Sequence, residues 1–156
     1  MVKGIRVTLN IWKGVMILSL LILSLPVLVG LKPYKVMSGS MEPVLPIGAL
    51  IYIQETNEIE EGEVIAFEVG NGQICVHRCM EIREDGTYVT KGDANAVQDV
   101  ATVRKDQMIG KGVLVLPYAG YWVQFLQTPL GISVIIVCFL GSVVMESEIF
   151  RRKKDK

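Results

Sequence analysis

The sequence has no excess of charge of either sign and few cysteines, and each shortage excludes a class of protein. Lys plus Arg and Asp plus Glu both number 16, so the formal net charge is +0. A nucleic-acid-binding domain usually carries a basic field, so we expect no nucleic-acid partner. Of the three cysteines, Cys138 falls in an apolar stretch, and Cys75 and Cys79 are the only other pair. Four residues of extended strand separate their Cα atoms by roughly 13 Å, too far for a disulfide, so we expect free thiols.

There is also a single histidine, His77, which limits both metal binding and base chemistry. On a strand, Cys75, His77 and Cys79 would share one face, an arrangement that admits a metal site. Three ligands stretched over roughly 13 Å do not converge on one ion, so we expect no metal and no other cofactor. The cysteines are then small core residues. His77 is either a structural imidazole with a backbone partner or the chain's one imidazole base.

Hydrophobic residues make up 51% of the chain and are concentrated at its two ends. Residues 15–31 are uncharged and about as long as the roughly 17 to 25 residues of a membrane-spanning helix. The alternative is a cleavable signal peptide, because three basic residues precede the stretch: Lys3, Arg6 and Lys13. Bulky residues, Val29 and Leu31, stand where small cleavage-site residues are expected. A permanent anchor is therefore the favoured interpretation.

The second apolar stretch, residues 129–145, has a helix start signal and flanks typical of a membrane span. Thr128 can cap the helix, and Pro129 suits its first position. Tyr121 and Trp122 precede it as interfacial aromatics do. Basic residues follow it: Arg151, Arg152, Lys153, Lys154 and Lys156. Both charged ends are then expected on the cytoplasmic side, with the segment between the spans on the outer side.

These features divide the chain into five segments. We expect a cytoplasmic N-terminus at 1–14, a span at 15–31, an extracytoplasmic domain at 32–127, a span at 128–145 and a basic cytoplasmic tail at 146–156. The middle segment alternates short runs rich in Val, Ile and Tyr with turns containing Asn-Gly and Asp-Gly, which predicts a β-domain. The predicted strands lie near residues 35–37, 49–54, 63–69, 73–81, 87–91 and 108–116.

Three polar clusters of the middle segment could carry chemistry. Ser40 follows the first apolar stretch closely, because nine residues from Leu31 reach at most about 30 Å. A serine hydroxyl needs a base near neutral pH, and His77 can supply one. Residues 91–99 suit a turn, but Asp93 or Asp99 could also fix the imidazole tautomer as the third member of a triad. Spacing alone leaves the two aspartates equivalent.

In order and spacing, these clusters look like the successive boxes of type I signal peptidases. Four segments between residues 10 and 123 carry the resemblance: Ser38-Gly39-Ser40-Met41-Glu42-Pro43, Gly62-Glu63-Val64-Ile65-Ala66-Phe67, His77-Arg78 and Lys91-Gly92-Asp93-Ala94-Asn95. The bacterial branch of that family has a lysine where this chain has His77. The sequence is therefore similar to the archaeal, endoplasmic-reticulum and sporulating Gram-positive branch, which uses serine and histidine, and Lys91 is not the expected base.

The resemblance implies a role for each residue of the site. Ser40 is the nucleophile, His77 is the general base, and the Ser38 hydroxyl and Ser40 N–H are the oxyanion donors. Asp93 and Asp99 are the two essential acidic positions. We expect Asp93 to accept backbone N–H bonds and hold its loop, and Asp99 to orient the imidazole.

The resemblance also implies a mainly β, partly open barrel-like signal peptidase domain with one N-terminal and one C-terminal transmembrane helix. The expected function is a membrane-bound serine endopeptidase that removes signal peptides from exported preproteins through an acyl-enzyme, without a cofactor. Its expected partners are signal peptides, the lipid bilayer of the plasma membrane or endoplasmic reticulum, and a secretion translocon or accessory subunits. The alternatives are a dedicated peptidase for biofilm, spore-coat or pilin-like precursors, and a non-catalytic membrane scaffold of the same fold.

Overall fold

The computed structural model describes residues 2–154, which form two compact units, and the predicted tail residue Lys156 lies outside them. Among the predicted basic residues, the side chains of Lys3, Arg6 and residues 152–154 also lie outside the described part. The elements in chain order are α1 (Val2–Leu28), β1 (Lys32–Lys35), β2 (Leu50–Glu55), β3 (Val64–Glu68), β4 (Ile74–Ile82), β5 (Tyr88–Lys91), β6 (Met108–Leu116), α2 (Ala119–Leu126) and α3 (Pro129–Lys154).

The first unit contains most of α1 and all of α3. Each helix has a segment long and apolar enough to cross a membrane, Val7–Leu28 and Pro129–Ser147, both with mean hydropathy 2.1. At the start of α3, the Thr128 hydroxyl accepts the N–H of Gly131 at 3.0 Å, so Thr128 is the cap that the sequence predicts. Helix α1 ends at Leu28, three residues before the end of the first predicted span, and Gly30 beyond it has a φ of 90°.

An ion pair joins the two helices of this unit. The Lys13 ammonium lies 2.8 Å from the Glu146 carboxylate, and Ser142, one turn before Glu146, is buried. Both charged residues fall within the apolar segments, where an unpaired charge would be expensive. Each charge therefore neutralises the other within the two apolar segments.

We expect the Lys13→Ala and Glu146→Ala variants each to be less stable than the double variant, because each single change leaves one charge without its partner. The thermal midpoint in detergent micelles should fall by roughly 2–4 °C in each single variant and by less in the double variant. Equal and additive losses would show that the two side chains act independently.

The second unit, Pro26–Trp122, is built on one antiparallel sheet. Its six strands lie in the order β1-β2-β6-β3-β4-β5. In the part of the chain that the structure describes, the edge strands β1 and β5 do not pair with each other, so the sheet is open and not closed. The predicted mainly β, partly open domain is confirmed. The β3–β4 hairpin turns at Asn71 and Gly72, both with positive φ, as the Asn-Gly dipeptide predicts.

Two elements differ from the prediction, while the other five strands agree within one or two residues. The first strand is Lys32–Lys35 and not residues 35–37, because the chain beyond Lys35 leaves the sheet toward Ser40. Helix α2 was not predicted. It packs on the strands through Gly120, where an added Cβ would lie only 2.8 Å from the Gly48 carbonyl oxygen.

The core consists of two clusters on opposite faces of the sheet, since Ile65 and Ala66 are neighbours on β3 and belong to different clusters. The first cluster comprises Ile59, Ile65, Phe67, Cys79, Tyr88 and Val103. The second comprises Met41, Leu45, Ile51, Ile53 and Ala66. Met41 is 2% exposed and follows Ser40 directly, so the second cluster anchors the segment that carries the serine.

Candidate active site

Ser40 and His77, far apart in sequence, meet in the second unit. Ser40 lies in the turn that follows β1, and its Oγ is 3.1 Å from Nε2 of His77. His77 lies on β4, is 8% exposed and has the edge of its ring against Phe67. The burial and the ring contact restrict the imidazole to one orientation, with Nε2 directed at the hydroxyl.

The other side of the imidazole contacts Asp99. Nδ1 of His77 lies 2.5 Å from Oδ2 of Asp99. The hydroxyl of Thr90 donates to the same carboxylate oxygen at 2.7 Å, and the Asp99 N–H donates to the Thr90 carbonyl at 2.8 Å. With Nδ1–H donated to a carboxylate, Nε2 is the lone-pair nitrogen that can accept the Ser40 proton.

Asp93 lies in the same turn but has a different partner. Arg78, the residue after His77, donates from Nε to Oδ1 at 2.8 Å and from Nη2 to Oδ2 at 2.6 Å. The paired carboxylate raises the pKa of Arg78. The Asp93 carboxylate is thus bound by a bidentate guanidinium, whereas we expected it to accept backbone N–H bonds. Arg78 also donates to the Gly62 carbonyl at 2.8 Å. It therefore joins the turn around Asp93 to the loop that precedes β3.

The turn that holds Asp93 also contacts the backbone of Ser40. The Ala94 N–H donates to the Ser40 carbonyl at 2.9 Å. A Cβ on Gly92 would lie 2.5 Å from that same oxygen, so only glycine fits there. The Asp93 N–H in turn contacts the buried Met41 sulfur at 3.4 Å.

Sequence reasoning missed the contributions of Thr90, Arg78 and Gly92. The threonine occupies an ordinary strand position, and nothing in Tyr88-Val89-Thr90-Lys91 marks it. Arg78 and Gly92 belong to segments that carry the family resemblance. The sequence therefore marked both residues but indicated no structural role for either.

Ser38, the expected oxyanion donor, lies beside Ser40. Its hydroxyl oxygen is 3.4 Å from Oγ of Ser40, near the upper limit for a hydrogen bond. The side chain is exposed and can rotate toward a bound group. The five predicted residues therefore lie around one centre, where Asp93 contacts Arg78 and not His77.

A cleft of about 640 Å³ opens beside Ser40. Its two walls are the segment around residues 34–41 and the start of β4 with the hairpin before it; the lining residues include Tyr34, Val36, Met37, Ile51, Val69, Ile74 and Val76. Among the described residues, positions 74–77 of β4 pair only with β3, because β5 begins to pair at Arg78. The cleft is thus mostly apolar and borders an unpaired strand edge.

Cys75 also lines the cleft, whereas Cys79 is fully buried in the core, as predicted. Burial, followed by the nearby Asp99 carboxylate, raises the pKa of the Cys75 thiol to about 11. The three cysteines are free thiols. Within residues 2–154, no three His, Cys, Asp or Glu side chains with described positions are grouped to hold a metal ion.

The arrangement is suited to acyl transfer. A hydroxyl, an imidazole and a carboxylate in one hydrogen-bonded chain can generate a nucleophile at neutral pH and stabilise the imidazolium that forms.

Comparison with known proteins gives one family and a consistent group of relatives. Residues 31–115, which include the whole candidate site, match the family model described as Peptidase S24-like. The chain is 31% identical over 128 residues to the putative signal peptidase complex catalytic subunit SEC11B of Homo sapiens, covering 72% of this chain and 70% of that protein. It is 30% identical over 151 residues to the signal peptidase complex catalytic subunit SEC11C of Rattus norvegicus, covering 88% and 74%. It is 35% identical over 89 residues to signal peptidase I W of Bacillus subtilis, covering 53% and 47%.

We predict that Asp99→Asn and Asp93→Asn fail in different ways. Asp99→Asn should remain folded and lose about 10⁴-fold in kcat, because an amide opposite Nδ1 favours the wrong tautomer. Asp93→Asn should lower the free energy of unfolding by about 1–3 kcal/mol, since it breaks the bidentate contact with Arg78, and should lower activity only as a consequence. Thermal midpoints beside single-turnover peptide cleavage rates decide this. A well-folded, inactive Asp93→Asn beside an unfolded Asp99→Asn would reverse the two roles.

We predict that Cys75 reacts slowly with iodoacetamide at neutral pH. With a pKa of about 11, only a small fraction of the thiol is in the reactive thiolate form at that pH. In a Cys79→Ala/Cys138→Ala background, the alkylation rate measured by mass spectrometry should rise about tenfold per pH unit between pH 7.5 and 9.5. A plateau within that range would mean that the thiol has an ordinary pKa.

Proposed function

Since the chain belongs to the type I signal peptidases, in the serine–histidine branch, we propose that Ser40, His77 and Asp99 are the residues with which it removes signal peptides from exported preproteins. It is a serine peptidase. The observation that carries the residue assignment is the single hydrogen-bonded chain from Ser40 Oγ through both ring nitrogens of His77 to the Asp99 carboxylate.

The first half of the reaction forms an acyl-enzyme. Nε2 of His77 takes the hydroxyl proton as Ser40 Oγ attacks the scissile carbonyl carbon. The carbonyl oxygen becomes an oxyanion, for which we assign the Ser40 N–H and the Ser38 hydroxyl as donors. The C–N bond then breaks, the imidazolium gives its proton to the leaving amine, and the signal peptide stays esterified to Ser40.

The second half releases the signal peptide. A water molecule gives a proton to Nε2 and attacks the ester carbonyl, and the oxyanion forms again at the same donors. Collapse of this intermediate breaks the ester bond and returns the proton from His77 to Ser40. Asp99 keeps Nδ1 protonated throughout and balances the positive charge of the imidazolium.

The cleft supports binding of an extended, small-residue segment. The backbone groups of β4 at residues 74–77 that point away from β3 can pair with a peptide laid along this edge. The segment at 36–40 borders the same space and delivers Ser40 to it. Apolar walls accept small side chains and reject large ones by clash, which suits the end of a signal peptide.

We further propose the two-span membrane topology, with residues 32–127 on the outer or lumenal side and both termini in the cytoplasm. Two apolar helices and the basic residues beside them support it. The relatives from Homo sapiens and Rattus norvegicus are named catalytic subunits of a signal peptidase complex. On that basis we propose accessory subunits, and a translocon that delivers substrate, as partners of this chain.

We predict that Ser40→Ala abolishes cleavage of a preprotein in proteoliposomes, with a loss on the order of 10⁴- to 10⁶-fold in kcat. Removing the hydroxyl leaves no large cavity, so expression and membrane insertion should be normal. Ser147→Ala, an exposed serine on α3, is the matched control and should cleave at the wild-type rate. Cleavage by Ser40→Ala within tenfold of wild type would exclude the serine mechanism.

The substrate class is tested in the same assay. A preprotein whose small residue before the cut is changed to Trp should remain uncut by the wild-type protein, since the residue no longer fits the cleft. Equal cleavage of both preproteins would mean that the chain is not selective for signal peptide ends.

A further inference from the structure

Thr90 lies on β5 and holds Asp99 at two points. The Asp99 N–H donates to the Thr90 carbonyl at 2.8 Å, and the Thr90 hydroxyl donates to Oδ2 of Asp99 at 2.7 Å. Thr90 is 0% exposed, so its hydroxyl is shielded from bulk water. One buried strand residue thus fixes both the backbone and the carboxylate of Asp99.

The chain on either side of Asp99 has little packing to fix it. Val97 and Val100 are 74% and 104% exposed, and Gln98 between them is exposed as well. Further along the chain, the paired backbone hydrogen bonds between Val103 and Tyr88 lie four residues away. A segment with so few buried contacts can open locally unless a buried partner holds it, and Thr90 is such a partner.

The two side-chain donors to Asp99 converge on one oxygen. Nδ1 of His77 lies 2.5 Å from Oδ2, and the Thr90 hydroxyl lies 2.7 Å from the same atom. Rotation of the carboxylate about its Cβ–Cγ bond would carry Oδ2 away from both donors. The hydroxyl therefore holds this oxygen where the imidazole N–H meets it.

The Thr90 hydroxyl is a neutral donor, which preserves the negative charge of Asp99. A lysine or arginine in its place would also bind the carboxylate but would cancel much of its attraction for a protonated imidazole. The guanidinium of Arg78, which follows His77 on β4, is bound to Asp93 instead. The nearby Cys75 thiol, with a pKa of about 11, is neutral at neutral pH. The charge of Asp99 is therefore left to act on His77.

We propose that Thr90 is a positioning residue for the reaction: its hydroxyl holds the Asp99 carboxylate in the orientation that keeps His77 in the Nδ1–H tautomer. Thr90 acts through Asp99, since its hydroxyl contacts the carboxylate and not the reacting atoms. The inference rests on the roles proposed above for Ser40, His77 and Asp99. A hydrogen bond to a charged group changes an equilibrium by about ten- to a hundredfold, which sets the size of the expected effects.

The tautomer can be measured directly because His77 is the only histidine of the chain. In the full-length protein in detergent micelles, the NMR shifts of the isotope-labelled ring nitrogens give the ratio of the Nδ1–H form to the Nε2–H form. At a pH where the imidazole is neutral, we expect the Nδ1–H form to dominate in the wild type. The ratio should fall about tenfold in Thr90→Val, which keeps the branched shape and loses the O–H. Thr90→Ser keeps the hydroxyl and should retain the wild-type ratio.

Val89→Ala is the matched control for this measurement. It removes a buried side chain from the neighbouring position of β5 and leaves Thr90 and Asp99 in place. The control should lower the thermal midpoint without changing the tautomer ratio. A wild-type ratio in Thr90→Val would overturn the proposal. An equal fall of the ratio in Val89→Ala would also overturn it, since the effect would then come from a loosened strand.

Cleavage of a preprotein tests whether Thr90 acts through Asp99. Thr90→Val should lower kcat about tenfold with KM unchanged, and Thr90→Ser should retain most of the wild-type kcat. In an Asp99→Asn background, Thr90→Val should cause no further loss, because the carboxylate that Thr90 positions is absent. Losses that multiply in the double variant would contradict the proposal, since they would show that the two residues act independently.

The two measurements also separate this inference from the proposed function. If the wild type cleaves no preprotein, the proposed function fails, while the tautomer ratios of the wild type and Thr90→Val still decide whether Thr90 positions Asp99. If the wild type cleaves and Thr90→Val changes neither the tautomer ratio nor kcat, the positioning role alone fails.

Discussion

The arrangement of Ser40, His77 and Asp99 depends on a backbone contact between the turn after β5 and Ser40. Ser40 lies outside the sheet, so no strand ladder holds its backbone. The Ala94 N–H and the close approach of Gly92 fix its carbonyl on one side, and the buried side chain of Met41 fixes the next residue on the other. Arg78 ties the same turn to the strand that carries His77. Ser40 and His77 are thus positioned by a shared support, and their mutual hydrogen bond follows from it.

Most of the sheet could be predicted from the sequence, because its hairpins are encoded locally. Asn-Gly and Asp-Gly fix the turns on both sides of β4, and alternating apolar residues fix the neighbouring strands. The start of the domain could not be predicted. The end of β1 and the presence of α2 depend on contacts with Gly48, more than ten residues from β1 and about seventy from α2 in the chain. Local patterns do not contain such contacts.

Some residues of the candidate site could likewise be predicted from the sequence, and others could not. Ser40, His77 and Asp99 could be named because a hydroxyl, a lone imidazole and a carboxylate suit one reaction and because their segments resemble a family. Thr90 could not be named, since its contribution is a hydrogen bond to Asp99 that only the folded chain brings together. Spacing leaves the two aspartates equivalent, and their neighbours in the structure differ: Asp99 faces an imidazole and Asp93 a guanidinium. Spacing in a turn does not specify which strand a side chain meets.

The unpaired edge of β4 has a consequence for the timing of secretion. In the proposed binding mode, the strand edge beside the cleft accepts a single extended chain, and a folded domain, whose own strands are already paired, cannot enter. Cleavage is therefore in kinetic competition with folding of the substrate. A segment that folds before it reaches Ser40 escapes, while the stretch between a membrane-held signal helix and a domain still emerging stays open to attack.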